Sequence, residues 1–308
     1  MVTDPIADIL SELLVSRIAD WAPGALAAPG RRATLLYAYP GGDAGPVEAA
    51  LRVFTGPAEP RRGQRLTVVV LAADPGDLGA RLAAGQAGLS AEVSVHLVPG
   101  GPDRLPAAAK AAGAAGAPML AVLDARRGPA PAPAALTAAA TGRPAEMLMV
   151  LDDRSRTGSD HRQALAQAGF SLVSEVEVFG TSDPGPSLLV FATSSGKRLE
   201  AFKDGIWVVG ATIGVRYRAP DGATGPVEVT PSPDPEPLAR RLLQRLTEVG
   251  RCSVSELREF TVSRTAYRSR DANQAIGDLL AAGLVVRDPA TGRLGGDVSV
   301  ELAPTSAP

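Results

Sequence analysis

The chain has 308 residues, 45% hydrophobic and 21% charged, which is enough for two globular domains with a sizeable core and excludes global disorder. Its 31 basic and 33 acidic residues give a formal net charge of −2, so no overall field draws nucleic acid or an anionic membrane. One cysteine, Cys252, and two histidines, His96 and His161, exclude an internal disulfide, a multi-cysteine zinc site and a histidine-rich metal centre.

The opening MVTDPIADILSELL carries acids and no cationic leader, and the longest strongly apolar run, Leu66–Ala73, is far too short to span a bilayer. A soluble cytoplasmic protein is expected. Residues 5–20 have apolar positions at helical spacing, with Asp4–Pro5 as a start signal. The breaker APGALAAPGRR ends that helix. Short apolar runs then alternate with helical stretches. The runs are Thr34–Tyr39, Thr67–Leu71, Val93–Val98, Met119–Leu123 and Met147–Leu151. Between them lie Pro46–Phe54, Asp77–Ala87, Asp103–Ala115 and Pro133–Thr141. Continuous Val, Leu and Ile indicate strands buried on both faces, and the alternation indicates a doubly wound, mainly parallel α/β sheet. His161–Gly169 reads as a helix. Phe170–Phe179 and Ser187–Thr193, joined by GTSDPGP, read as an antiparallel pair closing the sheet at an edge. Gly196–Val208 reads as one more helix.

The proline-rich segment Asp221–Pro237 reads as a linker. Beyond it, Leu238–Val249, Ser253–Phe260 and Asp271–Ala282 read as helices, followed by a hairpin of Leu284–Arg287 and Val298–Leu302. Three helices and a hairpin describe a winged helix-turn-helix module. The expected division is therefore 1–30 (helix and linker), 31–220 (α/β domain), 221–237 (linker), 238–302 (winged helix) and 303–308 (tail).

Tyr37–Gly45, YAYPGGDAG, follows the first strand and precedes a helix, a place where glycines let backbone approach a ligand. A plain strand-to-helix turn has the same pattern. The segment resembles the glycine-rich loop of the three-Cys-motif partner family, whose members are class I methyltransferase-like. Tyr39 falls on the aromatic position and Gly41 on the first glycine; Tyr37, Pro40 and Asp43 replace an aspartate, an alanine and a glycine. Leu71–Pro75 resembles the family's second strand end, with Asp74 kept and Ala72 where a glutamate stands. Val122–Gly128 resembles a third motif, keeping Asp124 and Gly128, and Ala145–Gly158 a fourth. Leu188–Gly222 is the most similar stretch: a strand, a glycine, a helix ending in tryptophan and a short aromatic segment. The resemblance covers about Arg31–Leu302, winged helix included.

It implies a Rossmann-like class I methyltransferase fold, an S-adenosylmethionine pocket built on Tyr39, Gly41, Gly42, Asp74 and Asp124, and a three-Cys-motif protein as partner. In such folds an acid after the second strand binds the ribose. Its replacement by Ala72 removes a charge-assisted bond of roughly 1.5–3 kcal/mol. Pro40 lacks an amide donor, and Asp43 adds charge where the methionine carboxylate lies. A vestigial pocket follows, with no catalytic residue and no cofactor; an active S-adenosylmethionine-dependent methyltransferase is the alternative.

Elsewhere, Asp152–Asp153–Arg154 ends a strand, where α/β sites often lie, and reads first as a solvated strand end; Asp153 and Asp124 are a weaker carboxylate pair. His96 reads as a structural histidine within a strand and His161 as a surface residue. Trp207, with Phe202 and Ile206, reads as core. Cys252, although it follows Arg251, reads as a small structural residue. Residues 238–308 carry ten arginines against eight acids. Arg264, Arg268 and Arg270 precede or open the third helix, Asn273 and Gln274 lie on it, and Arg287 and Arg293 lie in the wing. If the module touches DNA, Arg264, Arg268 and Arg270 would hold phosphates, Arg293 would lie along the wing, and Asn273 and Gln274 would read base edges. Asp271 and Asp278 on the same helix oppose DNA and favour a protein partner.

Overall fold

A computed structural model of the chain describes residues 5–39, 41, 44–56, 58–126, 128–156, 160–180 and 185–304. It runs α1 (Pro5–Leu26), β1 (Arg32–Tyr39), α2 (Gly45–Arg52), β2 (Arg65–Ala72), α3 (Leu78–Gln86), β3 (Val93–Pro99), α4 (Leu105–Ala111) and β4 (Met119–Asp124). Next come α5 (Pro133–Ala139), β5 (Ala145–Leu151), α6 (Asp153–Arg156), α7 (His161–Ala168), β6 (Leu172–Phe179), β7 (Ser187–Thr193) and α8 (Gly196–Ile213). The chain continues with β8 (Arg216–Arg218), β9 (Val227–Glu228), α9 (Glu236–Val249), β10 (Cys252–Ser253), α10 (Val254–Arg264), α11 (Ser269–Ala281), β11 (Val285–Asp288) and β12 (Ser299–Leu302).

The larger sheet has nine strands in the order β3-β2-β1-β4-β5-β7-β6-β8-β9. Strands β1 to β5 pair in parallel, and β7 is antiparallel to both β5 and β6. Of β1 to β7, only β7 runs backward. This order and direction are those of Rossmann-like methyltransferase folds, and the mainly parallel α/β sheet expected for 34–193 is present. Ser187–Thr193, expected antiparallel at or near an edge, is antiparallel and lies inside the sheet, because β6, β8 and β9 extend the sheet past it.

Alternation sorts the strand residues between two layers. Leu35, Tyr37 and Tyr39 join the core shared with α1, α2, α3 and α8, whereas Leu36 and Ala38 join the core under α4, α5 and α7. Burial on both faces explains why β1, β2, β4 and β5 are continuous apolar runs.

Three elements depart from the sequence reading. Helix α1 continues through Pro23 to Leu26, because Trp21, Ala22, Ala25 and Leu26 are buried and their packing outweighs the hydrogen bond that a proline cannot donate. The expected linker is docked: Val227 and Glu228 add an edge strand to the sheet, and Tyr267 Oη donates to the Asp234 carbonyl at 3.0 Å. Polar β8 was not anticipated.

Helices α9 to α11 and the sheet β10-β12-β11 form the C-terminal unit. Leu238, Leu242 and Leu246 of α9 pack with Leu257, Ile276 and Val300, within the same continuous apolar cluster that includes α8. No helix among the described residues is long and apolar enough to cross a membrane.

Candidate functional site

In an open α/β sheet, ligands bind beyond the carboxyl ends of the strands, where the strand order reverses. Here that point lies between β1 and β4. Tyr39 ends β1 and is buried. Gly41 has φ of +87°, a conformation that favours glycine. Gly42, Pro40 and Asp43 lie outside the described residues, so the loop's inner face is not placed. Ala72 ends β2, is fully buried and offers no side-chain acceptor. Asp74 is exposed and accepts from the amide of Gly76 at 3.3 Å, closing its own turn.

Asp124, at the end of β4, is almost buried and is held on both oxygens by its own neighbour. Arg126 Nε donates to Oδ1 at 3.0 Å and Nη2 to Oδ2 at 2.7 Å, while the Arg126 amide donates to Oδ1 at 3.1 Å. A forked guanidinium–carboxylate pair is the strongest geometry such groups reach. Asp152 likewise serves its own turn: its Oδ1 accepts from the Ser155 amide at 2.8 Å and the Ser155 hydroxyl at 2.9 Å. The side chain of Asp153 lies outside the described residues, so its pairing with Asp124 is not tested. At this end of the sheet Asp124 and Asp152 are engaged with protein, Asp74 makes one bond within its own turn, and Ala72 offers no carboxylate. The set is a poor fit to S-adenosylmethionine, since releasing Asp124 to a ligand breaks an ion pair.

Sequence reasoning missed a cluster farther along the same sheet end. Glu177 of β6 is fully buried; Arg156 Nη2 donates to its Oε1 at 2.7 Å and Arg218 Nε to its Oε2 at 2.6 Å. The Arg218 guanidinium also lies 4.7 Å from the centroid of the Phe179 ring. The alternation of acids in LVSEVEVF was the available signal.

The second cluster missed is the seam with the C-terminal unit, at the carboxyl end of α10. Arg162 Nη2 donates to the Ser263 carbonyl at 2.8 Å, Lys203 Nζ to Thr265 at 2.6 Å and Trp207 Nε1 to Ala266 at 3.0 Å. Cations at a helix carboxyl end complement its dipole. Lys203 is fully buried, and burial, with Arg162 nearby, pulls its pKa down to about 7.

The nucleic-acid candidates separate. Arg264 and Arg270 are exposed on the surface, as is Arg293 in the loop between β11 and β12. Arg268 is corrected: it is buried, its Nε and Nη2 bond Asp271 at 2.9 and 2.8 Å, and it lies 4.1 Å from the Trp207 ring centroid, so no phosphate reaches it. Asn273 is half-buried and its Oδ1 accepts from Arg258 Nε at 2.8 Å. Gln274 is exposed and donates to Asp278 at 2.9 Å. Arg287 donates to the carbonyls of Pro289, Gly292 and Arg293, holding the loop.

His161, expected at the surface, is the reverse of expectation, while His96 lies in a strand as expected but on its exposed side. His161 is buried, and desolvation lowers its pKa. His96 is exposed, because β3 is the outermost strand. Trp207 is core, as expected, and burial raises the Cys252 pKa. Among the described residues no group of three His, Cys, Asp or Glu is placed to hold a metal.

No family model matches the chain, and no curated protein matches it. Among solved structures, an rRNA methylase from Streptococcus thermophilus is similar at 11% identity and a TM-score of 0.34, over 63% of this chain and 98% of that one. A likeness that loose carries no argument; the fold assignment rests on strand order and direction.

Proposed function

We propose that the chain is a methyltransferase-like scaffold that does not perform methyl transfer and that meets a protein partner through a C-terminal winged helix. The observation that carries the first part is the Arg126 fork on Asp124, with Ala72 at the end of β2. A site that bound a nucleoside would present that carboxylate to it. The order α9-β10-α10-α11-β11-β12 is the order of winged-helix modules and supports the second part. The exposed face of α11 carries Arg270, Gln274 and Asp278, a face with no net charge. With Arg268 buried, Asn273 bonded to Arg258 and Arg287 holding the wing, too few free groups remain to neutralise phosphates and read bases. The outer face of the β11–β12 hairpin instead exposes Leu284 and Val286, at 50% and 38%. The resemblance of Leu188–Gly222 to three-Cys-motif partner proteins makes a three-Cys-motif protein the partner class of choice.

Native mass spectrometry of the purified full chain tests the first part: it should show the bare chain, and a copurifying adenosyl nucleoside would overturn it. Fluorescence anisotropy with mixed duplex DNA at roughly 50 mM salt tests the second. No binding is expected; binding with a steep salt slope would make the module a DNA reader using Arg264, Arg270 and Arg293.

A further inference from the structure

The two edges of the large sheet are unlike. The edge at β9 is two residues long. The edge at β3 is seven residues, VSVHLVP, with no charged residue and a proline only at its last position. Natural edge strands carry lysines, prolines, bulges or brevity to prevent pairing with another chain. Strand β3 has none of these along its centre.

Its outward groups can be assigned. The Leu66 amide donates to the Glu92 carbonyl at 2.9 Å, and the Gly100 amide donates to the Ala72 carbonyl at 2.9 Å. Residues 92, 94, 96, 98 and 100 therefore bond inward to β2, and alternation turns the backbone groups of Val93, Val95, Leu97 and Pro99 outward. The Val93 amide is taken by the Ser90 carbonyl at 3.1 Å, and Pro99 has no N–H. Val95 and Leu97 remain as complete outward donor–acceptor pairs.

We propose that β3 pairs antiparallel with β3 of a second copy, about a two-fold axis at His96, to form a sheet continuous across a dimer. In that register Val95 exchanges both backbone bonds with Leu97 of the other copy, and Leu97 with Val95, giving four bonds. The ends that lack an N–H fall at the margins. Two copies related by a two-fold axis present the same patch to each other, so the uncharged strand is self-complementary.

Charge fixes the register. Centring on His96 sets Glu92 opposite Gly100 of the other copy. Gly100, at φ of +122°, has the side chain of Arg104 lying across it; a Cβ built there would stand 3.3 Å from Arg104 Nε. Glu92 is half-buried and makes no ion pair among the described residues. The only acid on Arg104 among those residues is exposed Asp103, at 3.6 Å. Val95 and Leu97 pack on the α3 side of the sheet and Val98 on the α4 side. Glu92 lies in the turn just before β3, and Arg104 enters α4 on the Val98 side. The two-fold axis makes two Glu92–Arg104 pairs. A register shifted by one step, centred on residue 95, sets Glu92 against Val98 and loses both.

Sedimentation equilibrium of the full chain over a concentration series tests this, with circular dichroism to check folding. The wild type should approach about 63 kDa, twice the 31.5 kDa chain mass, as concentration rises. His96→Lys, at an exposed position on the axis, should remain monomeric. Glu92→Arg or Arg104→Glu should each weaken the dimer roughly tenfold or more, and the two together should restore it. A wild type that stays at 31.5 kDa, a His96→Lys dimer, or a charge exchange without recovery would each overturn the proposal.

Discussion

Lys203 should make the protein more stable as the pH rises above neutral, and replacing it should remove that dependence. Its ammonium is fully buried, with Arg162 nearby and the Thr265 carbonyl as hydrogen-bond acceptor. Burial lowers its pKa from 10.5 to about 7. The unfolded chain then binds more protons than the folded one between those values, so stability rises across that window. Below about pH 7 both states are protonated and the full penalty applies. At about 1.4 kcal/mol per pH unit it is on the order of 5 kcal/mol, and it falls by about 3 kcal/mol between pH 7 and 9.5. Lys203→Met keeps the apolar stem, removes the charge and loses one charge-assisted bond of about 1.5–3 kcal/mol. The variant should be more stable than the wild type by about 2 kcal/mol at pH 7, and the difference should vanish or invert by pH 9.5. Urea unfolding of both proteins from pH 6 to 9.5 measures this, and the difference cancels contributions they share, such as the raised thiol of Cys252. A Lys203→Met chain less stable than the wild type at pH 7, or an unchanged difference across the range, would show that burial of Lys203 carries no such penalty.

Gly210 of α8 faces Tyr217 so closely that an added Cβ would lie 2.9 Å from Tyr217 Cζ. Gly210→Ala should cost about 1–3 kcal/mol in urea unfolding, and Tyr217→Phe in the same chain should recover part of it by removing the nearer hydroxyl. Glu177→Gln leaves Arg156 and Arg218, both partly exposed, without their buried counter-charge; a loss of about 1–3 kcal/mol is expected in the same assay, and a neutral result would contradict that role.

Strands β1, β2, β4, β5 and β7 were legible because burial on both faces writes itself as an apolar run, and β3 and β6 because their β-branched residues recur at strand spacing. Strand β8, RYR, was not, since Arg218 is admitted to the sheet only by an ion pair to Glu177 on β6. The extension of α1 past Pro23 depended on what Trp21 and Leu26 meet in the fold. Of the candidate site, the acid–x–arginine spacing in VLDARRG held the Asp124–Arg126 fork in plain view, because the partners are two residues apart. Lys203 and Arg268 were illegible as buried cations: in sequence each looks like a solvated helix residue, and both are covered only where the C-terminal unit docks on α8. The exposure of His96 was hidden in the same way, since being outermost in a sheet is a property of strand order and not of local pattern.

The crevice between β1 and β4 should not hold S-adenosylmethionine. Calorimetric titration of the full chain with that compound tests it most directly, with Arg126→Ala titrated beside it to free Asp124. Loss of the ribose acid alone costs about one to two decades from a micromolar site, so the wild type should show no saturable heat below roughly 100 μM. Saturable binding in the low micromolar range, unchanged by Arg126→Ala, would contradict the account and return the chain to the methyltransferases.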